Sequence, residues 1–151
     1  MERASELMTA EVVAVPVTGT VRDALRVLEE LDVRHAPVVD EQRELVGIVS
    51  DRDLAPLHER PRALELRIAD VMSADVVAVE PEADLVELID LLVEHRIGAL
   101  PVVDHENHLL GIVSAVDVLR AVAKELVWEE RGLPARRRRG GDAAAVARDA
   151  L

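Results

Sequence analysis

Two serine–aspartate pairs are the residues of this chain whose types and spacing could do chemistry. Ser50 precedes Asp53 by three positions, and Ser114 precedes Asp117 in the same way. An S-x-x-D pattern is typical of a helix start, because the serine oxygen accepts a backbone N–H and the carboxylate favours the positive helix end. The same groups suit a sugar phosphate. A carboxylate accepts bonds from both ribose hydroxyls, and a helix start with a free hydroxyl favours phosphate. From the residues alone, capping and ligand binding both remain open.

The two pairs belong to two copies of one unit. Pro37-Val38-Val39-Asp40 recurs as Pro101-Val102-Val103-Asp104, so position 37 matches position 101 at an offset of 64 residues. The same offset carries Leu45–Asp53 onto Leu109–Asp117 without a gap. An internal repeat of this kind indicates that one small supersecondary unit has been duplicated.

Each copy predicts a strand, a helix, a strand hairpin and a second helix. In the first copy Val12–Val15 predicts the opening strand, and Thr20 is placed to cap the helix that follows. Leu45–Val49 is apolar at every position except a glycine, which is typical of a strand buried on both faces. We therefore predict an α+β fold. Its parts are repeat 1 at residues 1–60, a linker at 61–67, repeat 2 at 68–130, and an Arg-rich, flexible tail at 131–151.

The composition narrows the classes of function. The formal net charge of −12 and the single aromatic residue, Trp128, argue against binding of nucleic acid. The chain has no cysteine, which excludes disulfides, thiolate catalysis and cysteine metal sites. No apolar run is long enough to span a membrane, and the acidic N-terminus lacks a signal-peptide pattern. We therefore expect a cytoplasmic protein.

The size of the repeat predicts how the copies assemble. A unit of this length buries too little surface to be stable alone, so we expect the copies to pack sheet to sheet about a pseudo-twofold axis. The helix from Asp84 to His95 has a broader apolar face than its counterpart, which predicts a homodimer. Pro56 should weaken the helix that follows Ser50, whereas the helix that follows Ser114 should continue to about Trp128.

These repeated motifs resemble the CBS domain family, named after cystathionine β-synthase, and in particular its tandem pairs, the Bateman modules. The resemblance rests on the entry strand M-[ST]-x-x-V-V-x-V, on P-V-V-D, and on the L-x-G-I-V-S that precedes each final aspartate, all present twice. It implies two β-α-β-β-α repeats packed about a pseudo-twofold axis, often in disc-like dimers. We expect no enzymatic activity, because His35 has no nucleophile or partner at a recognisable spacing. The resemblance also implies a regulatory module. Such a module binds AMP, ADP, ATP or S-adenosylmethionine between the repeats, needs no cofactor, and signals occupancy to a partner protein.

The resemblance also implies which residues hold the ligand. The motif aspartates, Asp53 and Asp117, would accept the ribose hydroxyls, and the motif serines, Ser50 and Ser114, would meet phosphate. The positions that would line the adenine or reach phosphate come from the segments before P-V-V and from the entry strands: Val33, Arg34, His35, Ile97, Gly98, Ala99, Thr9, Ala14, Ser73 and Ala78.

The two copies differ in their positive charges, so we predict unequal sites. In an acidic chain, phosphate needs nearby cations. The first copy supplies Arg34, His35 and Arg52. The matching positions of the second copy are Gly98, Ala99 and Val116, with Arg120 one turn further on. Since a basic residue of one repeat can serve the ligand of the other, the sequence leaves open which cleft these arginines favour.

Other interpretations stay open beside this one. The fold could persist as a ligand-free structural or stress-response dimer, in which apolar side chains such as Leu100 plug the clefts. The Arg136–Arg139 run could contact a polyanion, although a solvated tail is the simpler reading. His105 and His108 are spaced like metal ligands, but no third ligand is visible, so we expect exposed turn histidines and no metal site.

Overall fold

Two three-stranded sheets flanked by helices form the computed structural model, which describes residues 1–31 and 33–131, with side chains as far as residue 127. The helices are α1 (Ala4–Leu7), α2 (Val21–Leu31), α3 (Asp51–Leu54), α4 (Ile68–Val71), α5 (Leu85–His95) and α6 (Ala115–Arg131), with 3-10 helices at Ala55–Leu57 and Pro61–Glu65. The strands are β1 (Thr9–Ala10), β2 (Val15–Pro16), β3 (His35–Val39), β4 (Leu45–Ser50), β5 (Ala99–Val103) and β6 (Leu109–Ser114). The predicted α+β class is confirmed.

The two sheets repeat one topology. In the first sheet the order is β2-β3-β4, with β2 parallel and β4 antiparallel to β3. In the second sheet the order is β1-β6-β5, and Val79 bridges Val102 in parallel where β2 lies in the first sheet. Both hairpins carry the same irregularity, after Val38 in one and after Val102 in the other. The duplication seen in the sequence is therefore a duplication of structure.

The segment that leads into each repeat packs on the other repeat. Ala4 of α1 donates its N–H to Ala83 O at 2.8 Å, and β1 pairs with β6. Reciprocally, Ile68 of α4 donates its N–H to Gly19 O at 2.9 Å and is fully buried in the core of the first repeat. Each repeat therefore completes its core with a helical turn from its neighbour, which ties the two units together.

The predicted contact between the repeats is made by strand ends. Val39, Leu45, Val103 and Leu109 form an apolar cluster of their own, between the cores of the two repeats. Backbone bonds join the two hairpins beside it, from Leu45 N to Asn107 O at 3.0 Å and from Leu109 N to Arg43 O at 3.1 Å. The two bonds are related by the repeat, as a pseudo-twofold axis requires.

Pro56 makes the two C-terminal helices unequal. The helix that follows Ser50 ends at Leu54 and continues as a 3-10 turn, whereas α6 runs for 17 residues. Proline has no N–H to donate, and its ring clashes with the carbonyl four residues earlier, so an α-helix cannot continue through this position undisturbed. The weakening predicted at Pro56 is therefore a termination after one turn.

The predicted entry strand is broken in the structure. The sequence predicts one strand over Val12–Val15, but Thr9–Ala10 and Val15–Pro16 are separate strands with different partners. The chain leaves β6 of one repeat and joins β3 of the other, so a single continuous ladder is not possible. Glu11, between the two strands, adopts a positive φ of 53° at this change of partner.

Apolar side chains remain exposed on the helices of the second repeat. Val86 and Val93 on α5 are 51% and 72% exposed, and Leu119 and Leu126 on α6 are 66% and 58% exposed. The broad apolar face predicted for α5 is thus present. No helix within the described part of the chain combines the length and the apolar character needed to span a bilayer.

Candidate ligand-binding site

A cavity of about 450 Å³ lies between the two repeats. This volume falls within the range of about 300–1,000 Å³ that is typical of small-molecule sites. The first repeat contributes the start of β3 and the junction of β4 with α3, and the second repeat contributes its entry segment and the junction of α5 with β5. The lining residues are Arg34, His35, Ile48, Val49, Ser50, Asp51, Arg52, Asp53, Ser73, Asp75, Val76, Val77, Arg96, Ile97, Gly98, Ala99 and Pro101.

Backbone pairing brings these segments together. His35 lies opposite Ser50 in the β3–β4 register, and Asp51 donates its N–H to Arg34 O at 2.9 Å. The entry segment of the second repeat reaches the same place because Ile48 and Ser73 exchange two backbone hydrogen bonds, each 3.0 Å long. Backbone hydrogen bonds at strand ends therefore hold three of the lining segments next to one another: the start of β3, the β4–α3 junction and the entry segment of the second repeat.

The serine–aspartate pair at this cavity forms a capping box. Asp53 N donates to Ser50 Oγ at 3.1 Å, and Ser50 N donates to Asp53 Oδ2 at 3.3 Å. The second carboxylate oxygen, Oδ1, accepts no hydrogen bond from the residues that the structure describes. Capping uses only part of the capacity of this carboxylate, so Asp53 can cap α3 and still accept a hydrogen bond from a ligand.

Three arginines line the cavity. Arg34 and Arg52 come from the first repeat and Arg96 comes from the second. None of the three guanidinium groups forms an ion pair or a hydrogen bond with a side chain between residues 1 and 127, Asp32 excepted, whose placement the structure does not describe. Three arginines and three aspartates, Asp51, Asp53 and Asp75, line one cavity, which could therefore hold a ligand carrying both hydroxyls and phosphate.

His35 of the first repeat lies close to Gly98 of the second repeat at this cavity. A Cβ atom placed on Gly98 would lie 3.1 Å from His35 Cε1 and 3.3 Å from His35 Nε2, so a larger residue at 98 would press on the ring. Burial lowers the pKa of His35 below its usual 6.5; the carboxylates of Asp51 and Asp53 oppose this shift, and Arg34 adds to it. This shift favours the neutral imidazole, which can donate or accept a hydrogen bond.

The structure brings together nine of the site residues predicted from the sequence. These are Arg34, His35, Ser50, Arg52, Asp53, Ser73, Ile97, Gly98 and Ala99. The other predicted residues do not line this cavity. Thr9 pairs with Ile112 in β1–β6, while Ser114 and Asp117 form the second capping box, with Ser114 N donating to Asp117 Oδ2 at 2.9 Å. Ala14 and Ala78 pack on the apolar cluster between the cores, and Val33 and Arg120 are exposed.

Several lining residues were not predicted. Asp51, Asp75 and Arg96 are charged, and Ile48, Val49, Val76, Val77 and Pro101 are apolar. Arg96 directly precedes the predicted segment Ile97-Gly98-Ala99, so its position at the end of a helix and next to that segment could have indicated it. Asp75 gave no comparable signal, because only the crossing of the entry segment to the other repeat brings it here.

The turn histidines contact separate acids. His105 Nδ1 lies 3.0 Å from Glu80 Oε1, and His108 Nδ1 lies 3.3 Å from Asp104 Oδ2. Glu80 raises the pKa of the exposed His105 through this hydrogen bond. Within the described residues, no group of three or more possible ligands is placed to hold a metal ion.

Comparison with known proteins identifies one family model and several similar structures. A family model described as CBS domain matches residues 4–57 and 68–124. The structure of a putative acetoin utilization protein (AcuB) from Vibrio cholerae is 36% identical with a TM-score of 0.74, covering 89% of this chain and 99% of that one. CBSX2 from Arabidopsis thaliana, in a structure in complex with AMP, is 30% identical with a TM-score of 0.72, covering 82% of this chain and 97% of that one.

Curated relatives differ in length. The CBS domain-containing protein YhcV from Bacillus subtilis is 33% identical over 119 residues, which is 78% of this chain and 84% of YhcV. Other relatives are longer, among them an inosine-5'-monophosphate dehydrogenase and magnesium transporters, and the chain spans only 23% to 43% of several of these. The similarity to those longer proteins therefore concerns the tandem repeat alone.

Proposed function

The chain belongs to the CBS domain family, and on this premise we propose that it is a regulatory module that binds an adenosine nucleotide in the cavity between its repeats. The observation that carries the proposal is the composition of that cavity, in which the ribose acceptor Asp53 and three arginines face one space. The complex of CBSX2 with AMP makes AMP the first ligand to test.

The lining residues suggest a role for each part of the ligand. The carboxylate of Asp53 accepts the ribose hydroxyls, since one of its oxygens is not used by the cap. Arg34 and Arg52 contact the phosphate, because guanidinium groups match phosphate oxygens in geometry and charge. Apolar side chains such as Ile48, Val76 and Ile97 give the adenine a surface to lie against.

Occupancy would be signalled through the arrangement of the repeats. The cavity wall comes from both repeats, so a ligand contacts both and favours the arrangement that it fits best. The exposed apolar residues of α5, Val86 and Val93, are the surface on which we place a second copy of the chain in a homodimer. A regulated partner protein would then respond to the ligand-bound dimer.

We further propose that the chain has no enzymatic activity of its own. Among the described residues, Ser50 Oγ forms no hydrogen bond with His35 or with a carboxylate that could act as its base, and its one bond is accepted from Asp53 N. Its relatives include enzymes, but they are matched over a small part of their length.

Isothermal titration of the full chain with AMP, ADP, ATP, S-adenosylmethionine and adenosine tests the proposal. We expect AMP to bind and inorganic phosphate alone to bind far more weakly, since the ribose contact to Asp53 is then missing. A folded sample that gives no heat with any of these adenosine compounds would leave a ligand-free structural dimer as the function. Leu100, which could have plugged a cleft, is instead fully buried in the second repeat and does not line the cavity.

A further inference from the structure

Arg96 occupies a backbone conformation that its residue type disfavours. It follows α5 with φ 53° and ψ 47°, in the left-handed region. Its N–H bonds to Leu92 O and Val93 O, and Ile97 N donates to Leu92 O at 3.2 Å, which closes the helix end. Glycine is the residue that helix ends of this kind usually carry, because any Cβ is strained there. Arginine at this position therefore costs stability relative to glycine.

The Arg96 side chain lies at a place where it could offset that cost through a ligand. It lines the cavity from the second repeat, while Arg34 and Arg52 line it from the first. It forms no ion pair with any residue whose side chain the structure describes. The strain is thus not compensated by a contact within the described part of the chain, and strained residues of this kind tend to occur at functional positions.

We propose that Arg96 is a specificity-determining residue that selects phosphorylated adenosine ligands in the cavity. This inference rests on the proposed function and adds the residue that reads the phosphate from the second repeat. Because Arg34 and Arg52 belong to the first repeat and Arg96 to the second, a phosphate bound by all three guanidinium groups contacts both repeats. The apolar and ribose contacts remain the same for adenosine and AMP, so Arg96 affects only the phosphate part of binding.

The sequence repeat also indicates that Arg52 and Arg96 have no cationic counterparts in the cleft that the pseudo-twofold axis relates to this cavity. The positions that match Arg96 and Arg52 at the offset of 64 residues are Asp32 and Val116. By sequence, the pseudo-twofold related cleft therefore has an acid and an apolar residue where the cavity has two cations. The cavity balances its three aspartates, Asp51, Asp53 and Asp75, with three arginines, whereas two of the matching positions lack a cation, so we expect one AMP to bind per chain.

The test compares Arg96→Gly with the unmodified chain in titrations with AMP and with adenosine. The variant should bind AMP about tenfold more weakly, the low end expected for a charge-assisted hydrogen bond to an exposed group, and adenosine with unchanged affinity. Its melting temperature should rise, because glycine relieves the left-handed strain. Arg96→Lys should retain part of the preference for AMP over adenosine.

Arg43→Gly is the matched control. Arg43 also has a positive φ, 64°, but it lies in the β3–β4 turn, does not line the cavity, and donates from Nη2 to Val12 O. It should leave both affinities unchanged.

Three results would count against the assignment. Equal weakening of AMP and adenosine in Arg96→Gly, no weakening of either, or two equal AMP sites per chain would each overturn it. An unmodified chain that binds neither compound would overturn the proposed function itself, so the two failures are distinct.

Discussion

Replacing Asp53 by asparagine removes the negative charge that we assign to the ribose. We assign the carboxylate two tasks, since Asp53 lines the cavity and only its Oδ2, which accepts the N–H of Ser50, is used by the described residues. Asparagine retains an oxygen that can accept the Ser50 N–H, so the capping box survives the substitution. The change therefore separates the ligand contact from the cap better than a substitution by alanine.

The expected loss follows from the kind of hydrogen bond. A bond to a charged acceptor contributes about 1.5–3 kcal/mol and one between neutral groups about 0.5–1.5 kcal/mol, so we expect a loss of about 1–2 kcal/mol. This corresponds to an increase in Kd of roughly 5- to 30-fold for AMP and for adenosine alike, because both carry the ribose. The free energy of unfolding should fall by only about 0.3–1 kcal/mol, the typical effect of one acid at a helix start.

Titration calorimetry with a ligand that lacks one hydroxyl tests this assignment. The loss caused by Asp53→Asn should shrink for 2'-deoxy-AMP, since the variant and the ligand remove the same interaction. Asp117→Asn is the control: it changes the same capping box in the second repeat, outside the cavity, and should leave AMP affinity unchanged. An undiminished loss with the deoxy ligand, or an equal loss in Asp117→Asn, would refute the reasoning.

Three further predictions concern the fold and its assembly. Burial lowers the pKa of His35 below 6.5, so this residue binds more protons in the unfolded chain than in the folded one and destabilises the fold as pH drops below 6.5. His105, whose pKa is raised, acts in the opposite direction in both proteins, so the test is the difference between them: the melting temperature of the unmodified chain should fall relative to that of His35→Gln as pH drops below 6.5, and parallel profiles would contradict this. A Cβ on Gly111 would lie 2.6 Å from the backbone O of Thr9, whereas one on Gly47 meets chiefly a flexible methionine side chain. Gly111→Ala should therefore lower the free energy of unfolding in urea by about 1–3 kcal/mol, which is more than Gly47→Ala should lower it, and equal losses would refute this. Val93 lies on the exposed face of α5, so Val93→Glu should convert the dimer that we propose into a monomer in sedimentation experiments, without lowering the melting temperature of the monomer. An unmodified chain that is itself monomeric would argue against this interface.

Much of the fold could be predicted because the same motifs occur twice in the sequence at a constant offset. The motif from Pro37 to Asp53 and its copy predicted the hairpins and the capping boxes, which local sequence determines. The two-sided burial predicted for Leu45–Val49 is only partial, since Val46 and Ile48 on one face are half-buried. Pro56 likewise indicated the weak point of the first C-terminal helix. The broken entry strand could not be predicted, because the chain changes partner between Ala10 and Val15 and only tertiary structure determines that change.

The candidate site was predictable to the extent that it follows the motifs. Residues next to P-V-V and in S-x-x-D, such as Arg34 and Asp53, were predicted from the resemblance to CBS domains, and both line the cavity. Arg96 and Asp75 were missed because they reach the cavity from the other repeat. The choice of cleft could not be read from the sequence either, since the arginines of one repeat could serve both sides, and only the structure shows Arg34, Arg52 and Arg96 lining one space.

A crystal structure of the full chain with AMP would test the central claim most directly. The account predicts one AMP per chain in the cavity between the repeats, with its ribose hydroxyls on the carboxylate of Asp53 and its phosphate among Arg34, Arg52 and Arg96. AMP bound instead beside Asp117, or crystals grown at saturating AMP with this cavity empty, would contradict it.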